Sequence, residues 1–209
     1  EQPWALARAL AAYTGHPAEG ILVSNGSNEM TYTFGLALIE KGTPVVLPTP
    51  MFALYSTVVR LYEGDLISIP PRSDLSFDTD RILEAIRQKK PRLVVLSSPN
   101  NPTGLAMTLE EIEAVVAEAP GFVLVDEAYY EFNDEPSAQT LMPRYPNLVL
   151  MRTFSKGLGL AGLRLGVLAV TARRGNDRCP YQLALPDGHI AETRALIRAA
   201  LEGRLTSPP

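Results

Sequence analysis

The sequence predicts an α/β fold in which a mostly parallel sheet is sandwiched by helices. Short apolar runs that suit strands buried on both faces recur along the first 170 residues, and segments with helical periodicity separate them. Polar clusters follow several of these runs directly. Because the carboxyl ends of parallel strands meet at one edge of a sheet, these clusters should converge there. We therefore expect the functional site at that edge.

The helices and strands alternate along the chain. Leu6 and Leu10 recur at helical spacing and predict a first helix over residues 3–14. Further on, Thr108 and Glu111 form a capping box, which predicts the start of another helix. Strands are predicted at 21–23, 44–47, 66–69, 92–96, 122–125, 148–151 and 165–170, and the remaining helices at 30–39, at 51–61 and from Asp78 or Thr79 through Ile86.

The pattern changes after Val170. Residues 171–180 are polar and rich in arginine, without hydrophobic periodicity, and only residues 190–201 look helical again. Either this region is a linker to the remnant of a second domain, or segments are absent from it. We therefore divide the chain into a first domain at 1–170 and a linker with a remnant at 171–209.

The composition excludes several classes of function. No apolar run reaches the roughly 20 residues that cross a bilayer, and 46% apolar with 20% charged residues is ordinary for a globular protein. With 19 basic and 23 acidic residues, the chain has no basic stripe for nucleic acid. Its single cysteine, Cys179, has no partner for an internal disulfide, and the N-terminus lacks a signal-peptide layout. We expect a soluble, cytoplasmic protein.

Lys156 has an unusual setting in the stretch Thr153-Phe154-Ser155-Lys156-Gly157, which directly follows an apolar run. A surface lysine needs no such place between a strand end and glycine-rich backbone. A lysine that must lose its charge and attack a carbonyl benefits from a partly dry, preorganised pocket. The hypothesis is that Lys156 forms a Schiff base with an aldehyde cofactor. The alternative is a solvated lysine in a loop.

Asp126 closes the apolar run at 122–125. A carboxylate that emerges from a buried strand is costly to desolvate unless it has a cationic or hydrogen-bonding partner. A pyridinium nitrogen would be such a partner, because a charge-assisted hydrogen bond helps to keep the nitrogen protonated near neutral pH. The alternative is a surface carboxylate just past the strand.

Two other polar clusters lie at predicted strand ends. Asn25-Gly26-Ser27-Asn28-Glu29 places small polar residues at the start of a helix, where free N–H groups and the helix dipole favour a phosphate. Simple helix capping would explain the same residues. Ser97-Ser98-Pro99-Asn100-Asn101-Pro102-Thr103-Gly104 forms a rigid turn that can hold an asparagine amide toward a ligand. Such turns also occur for folding alone.

One motif suggests a different ligand. Gly157-Leu158-Gly159-Leu160-Ala161-Gly162 matches the dinucleotide-binding pattern letter by letter. In true examples the glycines open a helix, and a second strand with an acidic end follows about 20 residues later. Here the strand at 165–170 follows at once and leads into Arg173-Arg174. We therefore do not expect a dinucleotide.

Three motifs occur in a fixed order: Pro99-Asn100-Asn101-Pro102-Thr103-Gly104, then Asp126-Glu127-Ala128-Tyr129, then Thr153-Phe154-Ser155-Lys156 with Arg164 eight residues after the lysine. Together they resemble the fold type I pyridoxal-phosphate-dependent aminotransferases, and among these the histidinol-phosphate aminotransferases. The resemblance covers roughly residues 5–170. It implies that 1–170 is the cofactor-binding large domain of that family and that 171–209 holds a linker and a remnant of the C-terminal small domain, which is truncated or missing.

The resemblance implies pyridoxal 5′-phosphate as the cofactor, with no metal. Lys156 would form the Schiff base, Asp126 would pair with the pyridine nitrogen, and Tyr129 would complete the catalytic group. The other implied cofactor contacts are Asn101, which with Tyr129 would hydrogen-bond the phenolic oxygen, Phe52, which would stack on the ring, and Ser27, Asn28, Ser155 and Arg164, which would hold the phosphate.

The activity implied by the resemblance is transfer of an amino group between an amino acid or amino-alcohol phosphate and a 2-oxo acid. Histidinol phosphate, and hence histidine biosynthesis, fits the nearest likeness, and the family implies a homodimer. Two alternatives stay open. A decarboxylase of a phosphorylated amino acid would share every cofactor residue named. A truncated module that binds the cofactor, or only folds, would lack turnover.

Overall fold

The computed structural model describes residues 4–170 of the chain. The predicted linker and domain remnant at 171–209, with the helix expected at 190–201, lie outside the described residues. The described elements, in chain order, are α1 Trp4–Thr14, β1 Ile21–Asn25, α2 Ser27–Leu38, β2 Pro44–Pro48, α3 Leu54–Leu61, β3 Asp65–Ile69, α4 Thr79–Lys89, β4 Leu93–Ser97, α5 Leu109–Glu118, β5 Phe122–Asp126, β6 Leu148–Thr153 and β7 Leu165–Val170.

All seven described strands join one sheet in the order β1-β7-β6-β5-β4-β2-β3. The pairs from β3 through β2, β4 and β5 to β6 are parallel, whereas β7 runs antiparallel to both β6 and β1. The prediction of a mostly parallel sheet between helices is therefore confirmed. Because β7 returns directly beside β6, the connection at 154–164 needs no crossover helix and stays at the carboxyl end of β6.

The core lies on both faces of the sheet. Successive residues of a strand point to opposite faces, so Val94 and Leu96 of β4 pack in one apolar cluster with α4 and α5. Leu93 and Val95 pack in the other cluster with α2 and α3. Every residue of β4 is buried as a result. This burial on both sides explains why the strands read as continuous apolar runs.

The starts of α4 and α5 follow local capping chemistry. The side chain of Asp78 accepts a hydrogen bond from the Arg81 N–H at 3.2 Å and caps α4. The predicted capping box is present at α5, since Thr108 and Glu111 each accept from the other's N–H. None of the helices in the described part of the chain is long and apolar enough to span a membrane.

Two helices begin away from their predicted first residues, and both differences matter for the site. The helix predicted at 30–39 begins at Ser27, directly after Gly26, whose φ of 81° breaks the chain direction. The helix predicted at 51–61 begins only at Leu54, and the preceding Ala53 provides no side-chain cap. Phe52 therefore lies in a loop that ends at the sheet edge.

Candidate active site

A cavity of about 220 Å³ opens at the carboxyl ends of the parallel strands. Strands β4, β5 and β6 end there, and the first turn of α2 enters from the side. All residues predicted from the sequence as site residues line this cavity, namely Ser27, Asn28, Phe52, Asn101, Asp126, Tyr129, Ser155, Lys156 and Arg164. The fold thus brings together residues that lie as far apart in the chain as Ser27 and Arg164.

Asp126, the last residue of β5, is the buried acid of the cavity and is 6% exposed. Its Oδ2 accepts a hydrogen bond from the Tyr55 hydroxyl at 2.6 Å, and its Oδ1 accepts one from the Ala128 N–H at 3.0 Å. Burial raises the pKa of Asp126 from its ordinary value of 3.8 to about 6, although both hydrogen bonds oppose the rise. The nearby charge of Glu127 adds to it. A cationic ligand group would relieve this cost.

Lys156 lines the same cavity as Asp126 and lies in the connection between β6 and β7. Its Nζ is 6.0 Å from the centre of the Tyr129 ring, and the Tyr129 hydroxyl accepts a hydrogen bond from Asn101 Nδ2 at 3.2 Å. The side chain of Lys156 is exposed. The partly dry setting expected from the sequence is therefore not supplied by the described residues, because the whole connection from Gly157 to Arg164 is open to solvent.

The start of α2 and Arg164 form a cradle for an anion. No side chain caps α2, so the first N–H groups at Ser27 and Asn28 keep their capacity to donate. The guanidinium of Arg164 lies against Gly26, so a Cβ added there would clash with it, and its Nη2 donates to the Asn25 carbonyl at 3.5 Å. A helix N-terminus and a guanidinium together attract a negatively charged group.

The close approach of β7 to the start of α2 leaves no room for a side chain at Gly166. A Cβ at Gly166 would come within 2.5 Å of the Gly26 carbonyl carbon and the Ser27 nitrogen, which are backbone atoms and cannot turn aside. We expect Gly166→Ala to cost roughly 1–3 kcal/mol of stability and to weaken binding of inorganic phosphate. Urea unfolding and isothermal titration calorimetry measure the two effects.

Gly162→Ala is the matched control, since a Cβ at Gly162 meets nothing within 4 Å. It lies in the same glycine-rich region and should leave both quantities unchanged. Equal losses in the two variants would contradict a specific role for the approach of β7 to α2.

A buried ion pair supports the backbone that follows Asp126. Glu127 Oε2 accepts from both Nε and Nη2 of Arg152, at 2.9 and 2.8 Å, and Oε1 accepts from the Ala138 N–H at 2.8 Å. Ser137 bonds both charged groups, and the guanidinium lies 4.1 Å from the centre of the Tyr130 ring. Burial raises the pKa of Glu127, and the charge of Arg152 opposes this rise. The pair fixes the loop after β5 against β6.

The sequence prediction missed Tyr55 and the pair of Glu127 with Arg152. A signal for Tyr55 was present: it shares the buried face of α3 with Val58 and Val59, and a buried tyrosine hydroxyl needs a hydrogen-bond partner. The ion pair had no comparable signal. Arg152 occupies a strand whose residues are all buried, and its partner comes from a different strand.

The glycine-rich motif at 157–162 forms no dinucleotide site of the expected kind. It leads into a short turn at Ala161–Leu163 and then into β7, whereas a dinucleotide fingerprint opens a helix. Among the described residues, no group of three or more His, Cys, Asp or Glu side chains could hold a metal ion. The convergent groups are an amine, a buried carboxylate and an anion cradle.

Comparison with known proteins gives a family match over nearly the whole chain. Residues 3–200 match the family described as aminotransferase class I and II. Histidinol-phosphate aminotransferase from Chlorobaculum parvum is 41% identical over 182 residues, which are 87% of this chain and 51% of that protein. The enzyme of the same name from Chlorobaculum tepidum is 48% identical over 158 residues, 76% of this chain and 45% of that protein. The chain thus spans about half the length of the curated relatives it matches.

Solved structures give the same fold. Histidinol-phosphate aminotransferase from Sinorhizobium meliloti, in complex with pyridoxal-5′-phosphate, matches with a TM-score of 0.77 and 27% identity, over 96% of this chain and 55% of that one. L-threonine-O-3-phosphate decarboxylase from Porphyromonas gingivalis matches with a TM-score of 0.66 and 26% identity, over 81% of this chain and 53% of that one.

Proposed function

The chain belongs to the aminotransferase class I and II family, and on that basis we propose that it binds pyridoxal 5′-phosphate and transfers an amino group to and from a 2-oxo acid. The other partner is an amino acid or amino-alcohol phosphate, for which we propose histidinol phosphate. The observation that carries the proposal is the meeting of a lysine amine, a buried carboxylate and an anion cradle in one cavity. The names of the curated relatives support the substrate.

The residues of the cavity fit the chemical groups of this cofactor. Lys156 offers an amine to its aldehyde, and the start of α2 with Arg164 offers N–H donors to its phosphate. Asp126 is a buried carboxylate whose hydrogen-bonding partners are neutral, so a protonated ring nitrogen suits it. The remaining proposed contacts are Asn101 and Tyr129 to the phenolic oxygen, Phe52 to the ring, and Ser27, Asn28 and Ser155 to the phosphate.

When bound, pyridoxal 5′-phosphate supplies an aldehyde that condenses with amines and a ring that accepts electrons from the substrate Cα. The residues of this chain supply the rest. Asp126 would keep the ring nitrogen protonated through a charge-assisted hydrogen bond. Lys156, once its amine is free, would take the proton from the substrate Cα as a general base and release it again as a general acid, a contribution of roughly 10²–10⁴ in rate. Tyr129, which accepts a hydrogen bond from Asn101, would hydrogen-bond the phenolic oxygen.

The decarboxylase alternative uses the same cofactor residues and is not favoured. The curated relatives are named as aminotransferases, and the decarboxylase structure matches a smaller part of this chain than the aminotransferase structure does. Product analysis separates the two, because transamination leaves a keto product and decarboxylation leaves an amine. A module that binds the cofactor without turnover would give neither product.

We extend the proposal to organisation and setting. Residues 1–170 form the cofactor-binding large domain, and residues 171–209 form a linker and a remnant of the C-terminal small domain. The protein acts in the cytoplasm, in histidine biosynthesis, as a homodimer. The exposed side chains of Leu158, Leu160 and Leu163 near the cavity support a partner subunit, because clustered exposed apolar groups mark interaction surfaces.

Covalent labelling of the full chain tests the function at its central residue. After addition of pyridoxal 5′-phosphate and reduction with borohydride, peptide mapping should place the label on Lys156. Lys156→Arg should abolish it, and Lys41→Arg, which alters an exposed lysine paired with Glu63, should not. A label spread evenly over Lys156 and the other lysines, Lys41, Lys89 and Lys90, would contradict the proposal.

A further inference from the structure

We propose that Tyr55 is a positioning residue for the active site, whose hydroxyl holds the Asp126 carboxylate in one orientation and stabilises it in the ionised form. Tyr55 lies in the first turn of α3, 71 positions before Asp126 in the chain, and donates to Asp126 Oδ2 at 2.6 Å. The effect on Asp126 concerns the protein alone, and its consequence for the cofactor rests on the proposed function.

The geometry leaves Asp126 little freedom. Tyr55 holds one carboxylate oxygen and the Ala128 N–H holds the other, so rotation of the carboxylate would break both hydrogen bonds. Both Asp126 and Tyr55 line the cavity. Each carboxylate oxygen has a second acceptor position, and the two anchors fix where the remaining acceptor positions lie. The carboxylate is thus oriented before any ligand arrives.

Tyr55 acts only as a donor in this arrangement. It is 4% exposed, and burial raises its pKa well above the ordinary value of 10.0. The charge of Asp126 and the hydrogen bond to it act in the same direction, whereas the nearby Thr31 side chain acts on this pKa in the opposite one. The phenol therefore keeps its proton at physiological pH and takes no part in proton transfer.

Thr31 of α2 lines the same cavity as Tyr55. Its hydroxyl donates to the Ser27 carbonyl at 3.1 Å, so Thr31 is bonded to the first turn of the helix that forms the anion cradle. The anion cradle and the pair of Tyr55 with Asp126 are therefore neighbours in one cavity.

Burial and the charge of Glu127 both oppose ionisation of Asp126, so a hydrogen-bond donor is needed to stabilise the ionised carboxylate. The titratable groups around Asp126 are Tyr55 from α3, the adjacent Glu127, and Tyr129, Lys156 and Arg164 around the cavity. Glu127 disfavours ionisation of Asp126, and burial disfavours it more strongly. The hydroxyl of Tyr55 is the largest influence in the opposite direction. Without it, the proton that a ring nitrogen should carry would move toward the carboxylate.

The first test follows the titration of Asp126 in the cofactor-free full chain. Carbon-13 NMR of the labelled carboxyl, assigned with Asp126→Asn, gives its pKa directly. In Tyr55→Phe we expect this pKa to rise by about one to two pH units, because a hydrogen bond to the charged form is lost. A ring-fluorinated tyrosine at position 55 is a stronger donor of nearly the same shape and should lower the pKa instead.

The matched control is Tyr62→Phe at the C-terminal end of the same helix, where the hydroxyl donates to the Tyr32 carbonyl at 3.4 Å. This variant should leave the titration of Asp126 unchanged. Opposite changes in the phenylalanine and fluorotyrosine proteins would separate donation from packing. The fluorotyrosine protein also retains the core, so the test does not depend on how well Tyr55→Phe folds.

The second test uses pyridoxal 5′-phosphate labelled with nitrogen-15 in the ring. Its chemical shift in the bound state should report a less protonated nitrogen in Tyr55→Phe than in the unaltered chain. If the pKa of Asp126 is the same in the Tyr55 variants and in the unaltered chain, the inference is wrong. If that pKa moves as expected but no protein binds the cofactor, the role of Tyr55 stands and the proposed function fails.

Discussion

Replacing Asp126 with asparagine is expected to stabilise the cofactor-free protein at pH 7 by up to about 3 kcal/mol, since the pKa of this group rises from 3.8 to about 6 on folding. Below pH 3.8 both folded and unfolded states carry the proton. As the pH rises from there to about 6, the unfolded state releases the proton first, so stability falls. Asparagine has nearly the same shape, keeps an oxygen that can accept from the Ala128 N–H, and removes this loss.

The same substitution should weaken binding of pyridoxal 5′-phosphate roughly 10- to 100-fold, because a charge-assisted hydrogen bond to the ring nitrogen is lost. Denaturant unfolding at pH 4 and pH 7, together with a binding titration, measures both effects. Asp65→Asn, which alters an exposed carboxylate at the start of β3, is the control and should change neither. A loss of stability in Asp126→Asn at pH 7 would mean that the carboxylate serves the fold.

Arg152→Met is expected to cost roughly 3–5 kcal/mol of stability, because it leaves Glu127 buried without its cation. Stability of this variant should also fall as pH rises, since burial raises the pKa of Glu127 and the isolated acid then favours its protonated form. Urea unfolding at several pH values measures both effects. Adding Glu127→Gln should restore part of the loss.

Arg144→Met provides the comparison for a surface pair. Arg144 Nη1 lies 2.7 Å from Glu113, but its side chain is 61% exposed, so solvent screens the interaction. We expect this substitution to cost less than about 1 kcal/mol. Similar losses for Arg144 and Arg152 would show that burial of the Glu127 pair adds nothing to its energetic importance.

The sequence predicted the helices and strands well, because a strand that is buried on both faces appears in the sequence as a continuous apolar run. Strands such as β4 and β5 are short apolar runs, and α5 begins at a capping box that depends on neighbouring residues alone. The direction of β7 was not predictable in the same way. An apolar run carries no sign of whether its neighbour is parallel, and only the short connection at 154–164 hinted at an antiparallel return.

The candidate site was predictable where a side chain lies in a recognisable local motif. Asp126 ends a strand, Lys156 and Asn101 each follow one, all three lie within such a motif, and the fold brings them to one cavity. Tyr55 was missed because its partner is 71 positions away, and the contact depends on how α3 packs over β5. The exposure of Lys156 was missed because a short motif says nothing about what covers it.

The position of β7 between β1 and β6 has a consequence for synthesis of the chain. Ile21 pairs with Ala169 and Asn25 with Leu165, so β1 finds its place in the sheet only after the ribosome has released most of the described residues. We expect the parallel strands β2 to β6 to pair earlier, because their contacts are nearer in sequence than those of β1 with β7. The first turn of α2 would then meet Arg164 only when β7 joins the sheet. We therefore expect a chain stopped before residue 165 to lack the completed anion cradle, and phosphate binding would show when β7 has joined.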